Sequence, residues 1–185
     1  MSEIIIYGSK YGTTKKYAEE LSKRTNIDVV SYDNVENLDN YNTIIYLGPI
    51  YAGGVLGMAK TFNKISNCEN KIIIIATVGV VDPIDIEYAN AINNNVKRQL
   101  SNDIYENAHI YHLRGGIDYS KLNFIHKMMM TLFYKKAKKL PEEKKTVEVK
   151  TMIETYNSVV DFINFDELDK IIAELDKSKI NSKSK

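Results

Sequence analysis

Residues 4–21, IIIYGSKYGTTKKYAEEL, constrain the fold more than any other stretch of this chain. Ile4-Ile5-Ile6-Tyr7 is a short apolar run of the kind that forms a buried strand. A loop with small and hydroxyl-bearing residues follows, Gly8-Ser9-Lys10-Tyr11-Gly12-Thr13-Thr14. Beyond it, Ala18 and Leu21 share one helical face, while Lys15, Lys16, Glu19 and Glu20 take the others. Strand, tight loop and helix are how an open α/β sheet begins. The loop then lies at the carboxyl end of the strand and at the helix N-terminus. Backbone N–H groups and the positive end of the helix dipole meet there and favour a phosphate. Ser9, Thr13 and Thr14 add hydroxyl donors, and Gly8 and Gly12 allow close approach. An ordinary βα turn with a threonine cap is the alternative. Neither GxxxxGK[ST] nor GxGxxG is present.

The same alternation continues along the chain. Asp28–Ser31 reads as a short strand near an edge, and Asn34–Asn42 as a polar loop around Val35, Leu38 and Tyr41. Thr43–Leu47 reads as a third strand that stops at Gly48-Pro49, because proline cannot continue a ladder. Leu56–Ile65 has helical spacing. Lys71–Val78, with four consecutive isoleucines, is the clearest buried strand. Asp85–Leu100 reads as a helix with Ala89, Ile92, Val96 and Leu100 inward. Ala108–Leu113 is a fifth strand ending at Arg114-Gly115-Gly116. These strands are continuous apolar runs rather than alternating ones, which predicts a parallel sheet covered on both faces.

Ser120–Lys139 interrupts the rhythm. Leu122, Ile125, Met128, Met129, Leu132 and Phe133 form one apolar stripe of a helix, with His126 facing solvent. Lys121, Lys127, Lys135, Lys136, Lys138 and Lys139 supply positive charge with no acid among them. Pro141 ends the helix, and Glu142–Lys150 reads as a charged connection. Thr151–Ser158 reads as helical and Val159–Phe162 as extended. Asp166 reads as the cap of a last helix, Glu167–Leu175, before a frayed polar tail. The expected organisation is a single domain over 1–177, an insert at 118–140 and a tail at 178–185.

With 185 residues, 44% hydrophobic and 26% charged, the chain can bury a sizeable core. A net charge of +1 argues against bulk nucleic-acid binding. The single cysteine, Cys68, cannot form an internal disulfide and fits a reducing compartment. Met1-Ser2-Glu3 leads straight into the first strand, so no leader is expected, and no apolar run is long enough to span a bilayer. The expected location is the cytoplasm, with the inner face of the membrane as an alternative. His109 and His112 point to opposite faces of one strand and are read as structural. No metal site and no general acid or base is expected.

Three loops thus fall at carboxyl ends of parallel strands, where such sheets bind ligands. They are Ser9–Thr14, Gly48–Gly54 and Val78–Asp82. In order and character they resemble the phosphate loop and the two flavin-ring loops of flavodoxins, with Tyr11 where many members carry Thr. The resemblance implies a doubly wound, five-stranded parallel sheet of order 2-1-3-4-5 and FMN as cofactor. The cofactor-binding candidates it implies are Ser9, Lys10, Tyr11, Gly12, Thr13 and Thr14 for the phosphate. For the ring they are Pro49, Ile50, Tyr51, Ala52, Gly53, Gly54, Val78, Gly79, Val80 and Asp82. Tyr51 would stack on or shield the ring, and Gly53-Gly54 would permit a peptide flip at flavin N5. Asp82 reads rather as the cap of the helix after Pro83.

His112-Leu113-Arg114-Gly115-Gly116-Ile117-Asp118-Tyr119, followed by the Lys- and Met-rich helix, is similar to the menaquinone-dependent protoporphyrinogen dehydrogenases, small flavodoxin-like enzymes. That resemblance implies Gly115, Gly116, Tyr119, Met128, Met129 and Phe133 as substrate or partner residues. The expected function is electron transfer through bound flavin, with protoporphyrinogen oxidation coupled to a quinone as the alternative. The expected partner is a redox protein, a quinone or a porphyrin, with peripheral membrane contact through 120–139. A flavin-free interaction module is the reading from a different class. A receiver domain fits poorly, because its acidic pair after the first strand and aspartate after the third are missing.

Overall fold

A computed structural model describes residues 2–51 and 53–183. Its centre is a parallel sheet built from β1 (Glu3–Tyr7), β2 (Val29–Ser31), β3 (Thr43–Tyr51), β5 (Ile72–Gly79) and β6 (Ala108–Arg114). The order is β2-β1-β3-β5-β6, with a short β4 (Gly54–Val55) antiparallel to the end of β3. Ile5 pairs with Val29 on one side and with Ile45 on the other, and Ile45 pairs in turn with Ile74. This is the doubly wound order that the resemblance to flavodoxins implies.

Both faces of the sheet are covered, and residue alternation along each strand feeds two cores. Ile4, Ile6, Ile44, Tyr46, Ile73 and Ile75 pack under α2 (Met58–Phe62), α3 (Ile86–Lys97) and α4 (Asn102–Asn107). Ile5, Ile45, Leu47, Ile74 and Ala76 pack under α1 (Thr13–Thr25) and α7 (Asp169–Lys183). The runs of isoleucine are apolar on both sides because both sides are interior.

Several boundaries differ from the sequence reading. β3 does not stop at Gly48-Pro49; it continues to Tyr51, and Pro49 pairs with Val78. The last bond from β1 is Gly8 N–H to the Leu47 carbonyl. Beyond it, that flank of Pro49 faces Leu56, whose N–H donates to the Pro49 carbonyl. The Leu56 carbonyl accepts from the Tyr46 hydroxyl, so the missing N–H at Pro49 leaves no partner unsatisfied. The Leu56–Ile65 helix shrinks to five residues, Met58–Phe62: Leu56 N–H is bonded to the Pro49 carbonyl, Gly57 at φ +80° is the cap, and 64–65 close in tighter three-residue turns. α3 is capped by Asp85, whose side chain accepts from Tyr88 N–H, and not by Asp82. Asp82 closes the preceding turn, accepting from Ile84 N–H.

The appendage after β6 is larger than the expected insert. It contains β7 (Gly116–Asp118), α5 (Phe124–Lys138), α6 (Val147–Thr155) and β8 (Val159–Asp161). β7 and β8 close it at its base as an antiparallel pair, Gly116 opposite Asp161. Gly116 is required there: a Cβ would stand 2.5 Å from the Val160 carbonyl oxygen. α6 begins at Val147, inside what reads as a charged connection, with Thr146 accepting from Val149 N–H as its cap. Asn164, not Asp166, caps the turn before α7. α7 runs to Lys183, so residues 176–183 are helical rather than frayed. Lys179 anchors that turn through an ion pair to Glu3 on β1, at 3.0 Å.

Candidate functional site

The three loops converge at the carboxyl edge of β1, β3 and β5, and the appendage folds over them. Between loops and appendage lies a cavity of about 710 Å³. Ser9, Lys10, Tyr11, Thr13, Thr14, Pro49, Ile50, Tyr51, Gly53, Val78, Gly79 and Val80 line it from the sheet side. Gly12, Gly54 and Asp82 stand outside the lining, and Ala52 lies outside the described residues. Of the substrate candidates, Gly115, Gly116, Tyr119, Met129 and Phe133 line the cavity. Met128 does not; it points outward and is half exposed.

The first loop is shaped by Gly12, which sits at φ +95° as the cap residue of α1. Its N–H donates to Ser9 Oγ at 3.1 Å, folding the loop back on itself. The first helical bond is Lys16 N–H to the Gly12 carbonyl. The amides of Thr13, Thr14 and Lys15 precede it, no side chain caps the helix, and its first turn holds no acid. Such a helix start is suited to an anion. Gly115 backs this loop closely: a Cβ there would meet Val78 Cγ1 at 2.7 Å and Thr13 Cγ2 at 3.2 Å.

The second loop is the turn joining β3 to β4. Tyr51 pairs with Gly54, and Gly53 lies in the turn between them. Gly53 adopts φ +80° with open space around its Cα, while Gly54 is held in the ladder and covered by the Gln99 amide. Of the two glycines, Gly53 therefore has the freedom that a peptide flip requires. Lys10 Nζ lies 5.3 Å above the Tyr51 ring, so the first two loops touch.

The appendage contributes a residue that the sequence reading misplaced. His126 does not face solvent; it is 9% exposed. Its Nε2 lies 2.6 Å from the Tyr51 hydroxyl, and its Nδ1 bonds the Tyr11 hydroxyl. Asn123 caps α5 by accepting from His126 N–H, which fixes the first turn of the helix. The expected apolar stripe is in fact split. Met129 and Phe133 line the cavity, Phe133 at its rim and still 50% exposed, whereas Ile125, Met128 and Leu132 are exposed and stand outside the lining. The inward stripe is His126, Met130, Phe133, Ala137 and Leu140, at helical spacing. That second periodicity is present in the sequence, and it is the signal that would have found His126.

α6 adds Glu148, Val149, Met152 and Thr155 to the lining. It is tied to α5 by Tyr156, whose ring stacks on Tyr134 at 3.9 Å and whose hydroxyl lies 2.9 Å from Thr131 Oγ1. Tyr119 meets the Tyr156 ring edge-on. The Tyr119 hydroxyl is buried without a hydrogen-bond partner among the described residues. Burial pushes its phenol up to about 12, with the neighbouring Tyr156 adding to the rise, so it remains a donor at neutral pH.

The other titratable residues serve the scaffold. His112 Nδ1 lies 2.8 Å from Thr77 Oγ1, and burial holds its pKa below the usual histidine value. His109 faces the opposite side, 3.6 Å from Glu174. Arg114 joins core to appendage, 3.4 Å from Asp82 and stacked 4.0 Å from the Phe162 ring. Cys68 is partly buried against the α2–α3 core. Among the described residues, no group of three His, Cys, Asp or Glu is placed to hold a metal ion. No helix among them is long and apolar enough to cross a membrane.

These features fit a flavin mononucleotide: an uncapped helix start for one phosphate, and an apolar slot beside it for a ring. The family model described as "Flavodoxin domain" matches residues 4–144. None of the curated proteins matches the chain. Among solved structures, a candidate flavoprotein of Bacteroides uniformis is 14% identical, covering 62% of this chain and 90% of its own, with a TM-score of 0.46. A flavodoxin variant of Fusobacterium nucleatum bound to flavin mononucleotide is 16% identical, covering 66% and 72%, with a TM-score of 0.41. A flavoprotein of Lactobacillus acidophilus in complex with FMN is 14% identical, covering 61% and 91%, with a TM-score of 0.40. At these scores the likeness is one of outline. The family model spans well over half of the chain, from the first strand into the appendage, and on that match the chain belongs to the flavodoxin domain family.

Proposed function

We propose that this chain is an FMN-dependent oxidoreductase whose substrate is a largely apolar, polar-edged ring molecule held beneath α5 and α6. The observation that carries the reading is the cavity of about 710 Å³, bounded by the three loops on one side and by the appendage on the other. A free electron carrier has no use for an apolar chamber over its flavin loops. When bound, FMN supplies the electron exchange. Ser9, Thr13, Thr14 and the amides opening α1 would hold its phosphate. Ile50, Tyr51 and Val78–Val80 flank the ring. Met129, Met130 and Phe133 on α5, with Val149 and Met152 on α6, exclude water and offer the adaptable contacts typical of methionine. Tyr51 Oη and His126 hold a proton at the cavity wall.

Within that class the candidate substrate is protoporphyrinogen IX, with a quinone as acceptor. It is supported by the resemblance of residues 112–119 and by the apolar appendage that follows. A general flavodoxin-like electron carrier is the second reading, and family membership favours it equally.

The test begins with the visible spectrum of the purified protein and chromatography of the released chromophore. Stoichiometric FMN is expected; FAD, or a colourless protein that takes up no FMN, would overturn the assignment. Thr13→Ala and Thr14→Ala are expected to weaken FMN by about 1.5–3 kcal/mol each, one hydrogen bond to a charged group. Anaerobic oxidation of protoporphyrinogen by a menaquinone analogue is then measured. Bound FMN without this activity leaves the electron carrier.

A further inference from the structure

Helix α5 is apolar on two opposite sides. One side faces the cavity. The other carries Phe124, Ile125, Met128 and Leu132, which are 80%, 61%, 50% and 54% exposed. Positions 124, 125, 128 and 132 fall on a single stripe. A helix at a protein surface ordinarily turns polar residues outward, and a contiguous exposed apolar patch marks a contact surface.

The charges around the stripe are of one sign. No Asp or Glu lies between Phe124 and Lys138. Lys135 and Lys139 continue the stripe by one and two turns beyond Leu132, and Lys121, Lys127 and Lys138 border it; Lys136 lines the cavity instead. Lys121 pairs with Asp118 at 3.2 Å, Lys127 donates to the Ser120 carbonyl, and Lys138 lies over the Tyr134 ring. Among the described residues, Lys135 and Lys139 stand in no ion pair. An apolar stripe with a cationic border is the pattern of a helix lying in a membrane interface.

We propose that the outer face of α5 docks on an anionic lipid bilayer. Phe124, Ile125, Met128 and Leu132 enter the acyl boundary, and Lys135 and Lys139 meet the headgroup phosphates. A second copy fits poorly, because two-fold contact of this face would oppose lysine to lysine. Nucleic acid fits poorly, because four large apolar side chains have no partner on a phosphate backbone. The docking face is the side of α5 opposite the cavity, so the proposal stands or falls apart from the flavin reading.

The chain contains no tryptophan, so Phe124→Trp places a single reporter on the face. Addition of phosphatidylglycerol-containing vesicles to the full chain is expected to shift its emission to the blue. Flotation with these vesicles is expected, weakening with added salt and much weaker with phosphatidylcholine alone. Ile125→Ser/Leu132→Ser and, separately, Lys135→Glu/Lys139→Glu are expected to lower the partition by on the order of tenfold or more. Circular dichroism and thermal unfolding check that each variant is folded. Absence of flotation by the intact chain overturns the proposal, and so does flotation that either folded double variant leaves unchanged. Self-association that Ile125→Ser/Leu132→Ser abolishes, without vesicle binding, overturns it in favour of a second copy.

Discussion

The Tyr51 hydroxyl lies 2.6 Å from His126 Nε2, joining the turn after β3 to a helix 75 residues further along the chain. The Tyr11 hydroxyl bonds the other ring nitrogen. A neutral imidazole has one donor and one acceptor nitrogen, so one tyrosine donates and the other accepts. Both rings also meet His126 edge-on, at 5.7 and 5.5 Å between centroids. One side chain of α5 therefore clasps both the phosphate-type and the ring-type loop.

Breaking this clasp should loosen the cover without emptying the site. His126→Ala is expected to cost about 1–3 kcal/mol of stability in chemical denaturation, the range for two buried hydrogen bonds. FMN is expected to remain bound, while hydrogen exchange in α5 and iodide quenching of flavin fluorescence both rise. Unchanged exchange in α5 would show that the clasp does not hold the appendage.

Gly115 tests the packing behind the phosphate loop. Gly115→Ala puts a methyl 2.7 Å from Val78 Cγ1 and 3.2 Å from Thr13 Cγ2. Overpacking of this kind costs about 1–3 kcal/mol. Because Thr13 opens α1, the loss is expected in FMN affinity as well as in melting temperature. A fluorescence titration that matched the wild-type curve would place the phosphate elsewhere.

Tyr119 carries a buried hydroxyl with no partner among the described residues. Removing such a group is expected to leave the substrate-free protein as stable or more stable, by up to about 1 kcal/mol. Tyr119→Phe should therefore hold or raise the melting temperature while weakening binding of a polar-edged substrate. A marked loss of stability would mean that the hydroxyl has a partner in solution.

His112 should make stability pH-dependent. Burial lowers its folded pKa below the unfolded value of about 6.5. The unfolded chain then binds the extra proton first, so stability is full above that value and falls as pH drops through the folded pKa. Chemical denaturation from pH 8 down to pH 5.5, above the range of ordinary carboxylates, should show this loss. His112→Gln is expected to flatten it; an unaltered slope would assign the dependence to another group.

The sequence by itself determined the strand-loop-helix opening and the buried parallel strands. Ile4–Ile6, Ile44–Leu47 and Ile72–Ile75 are apolar without alternation, and only a sheet covered on both faces can use such runs. It also placed Ser9–Thr14 at a helix start, where the local chemistry of hydroxyls and free amides is legible in a few residues. What it could not give depends on surfaces far away in the chain. β7 and β8 are each three residues long and gain their stability from pairing Gly116 with Asp161. Pro49 stays in β3 because β1 has already ended beside it. Helix α5 has two apolar stripes, and periodicity reports both without choosing between them. Tyr11 and Tyr51 turn the His126 stripe inward by satisfying both ring nitrogens of a buried imidazole. Of the six residues expected on one stripe, Leu122, Met129 and Phe133 thereby line the cavity, and Ile125, Met128 and Leu132 are left on the outside.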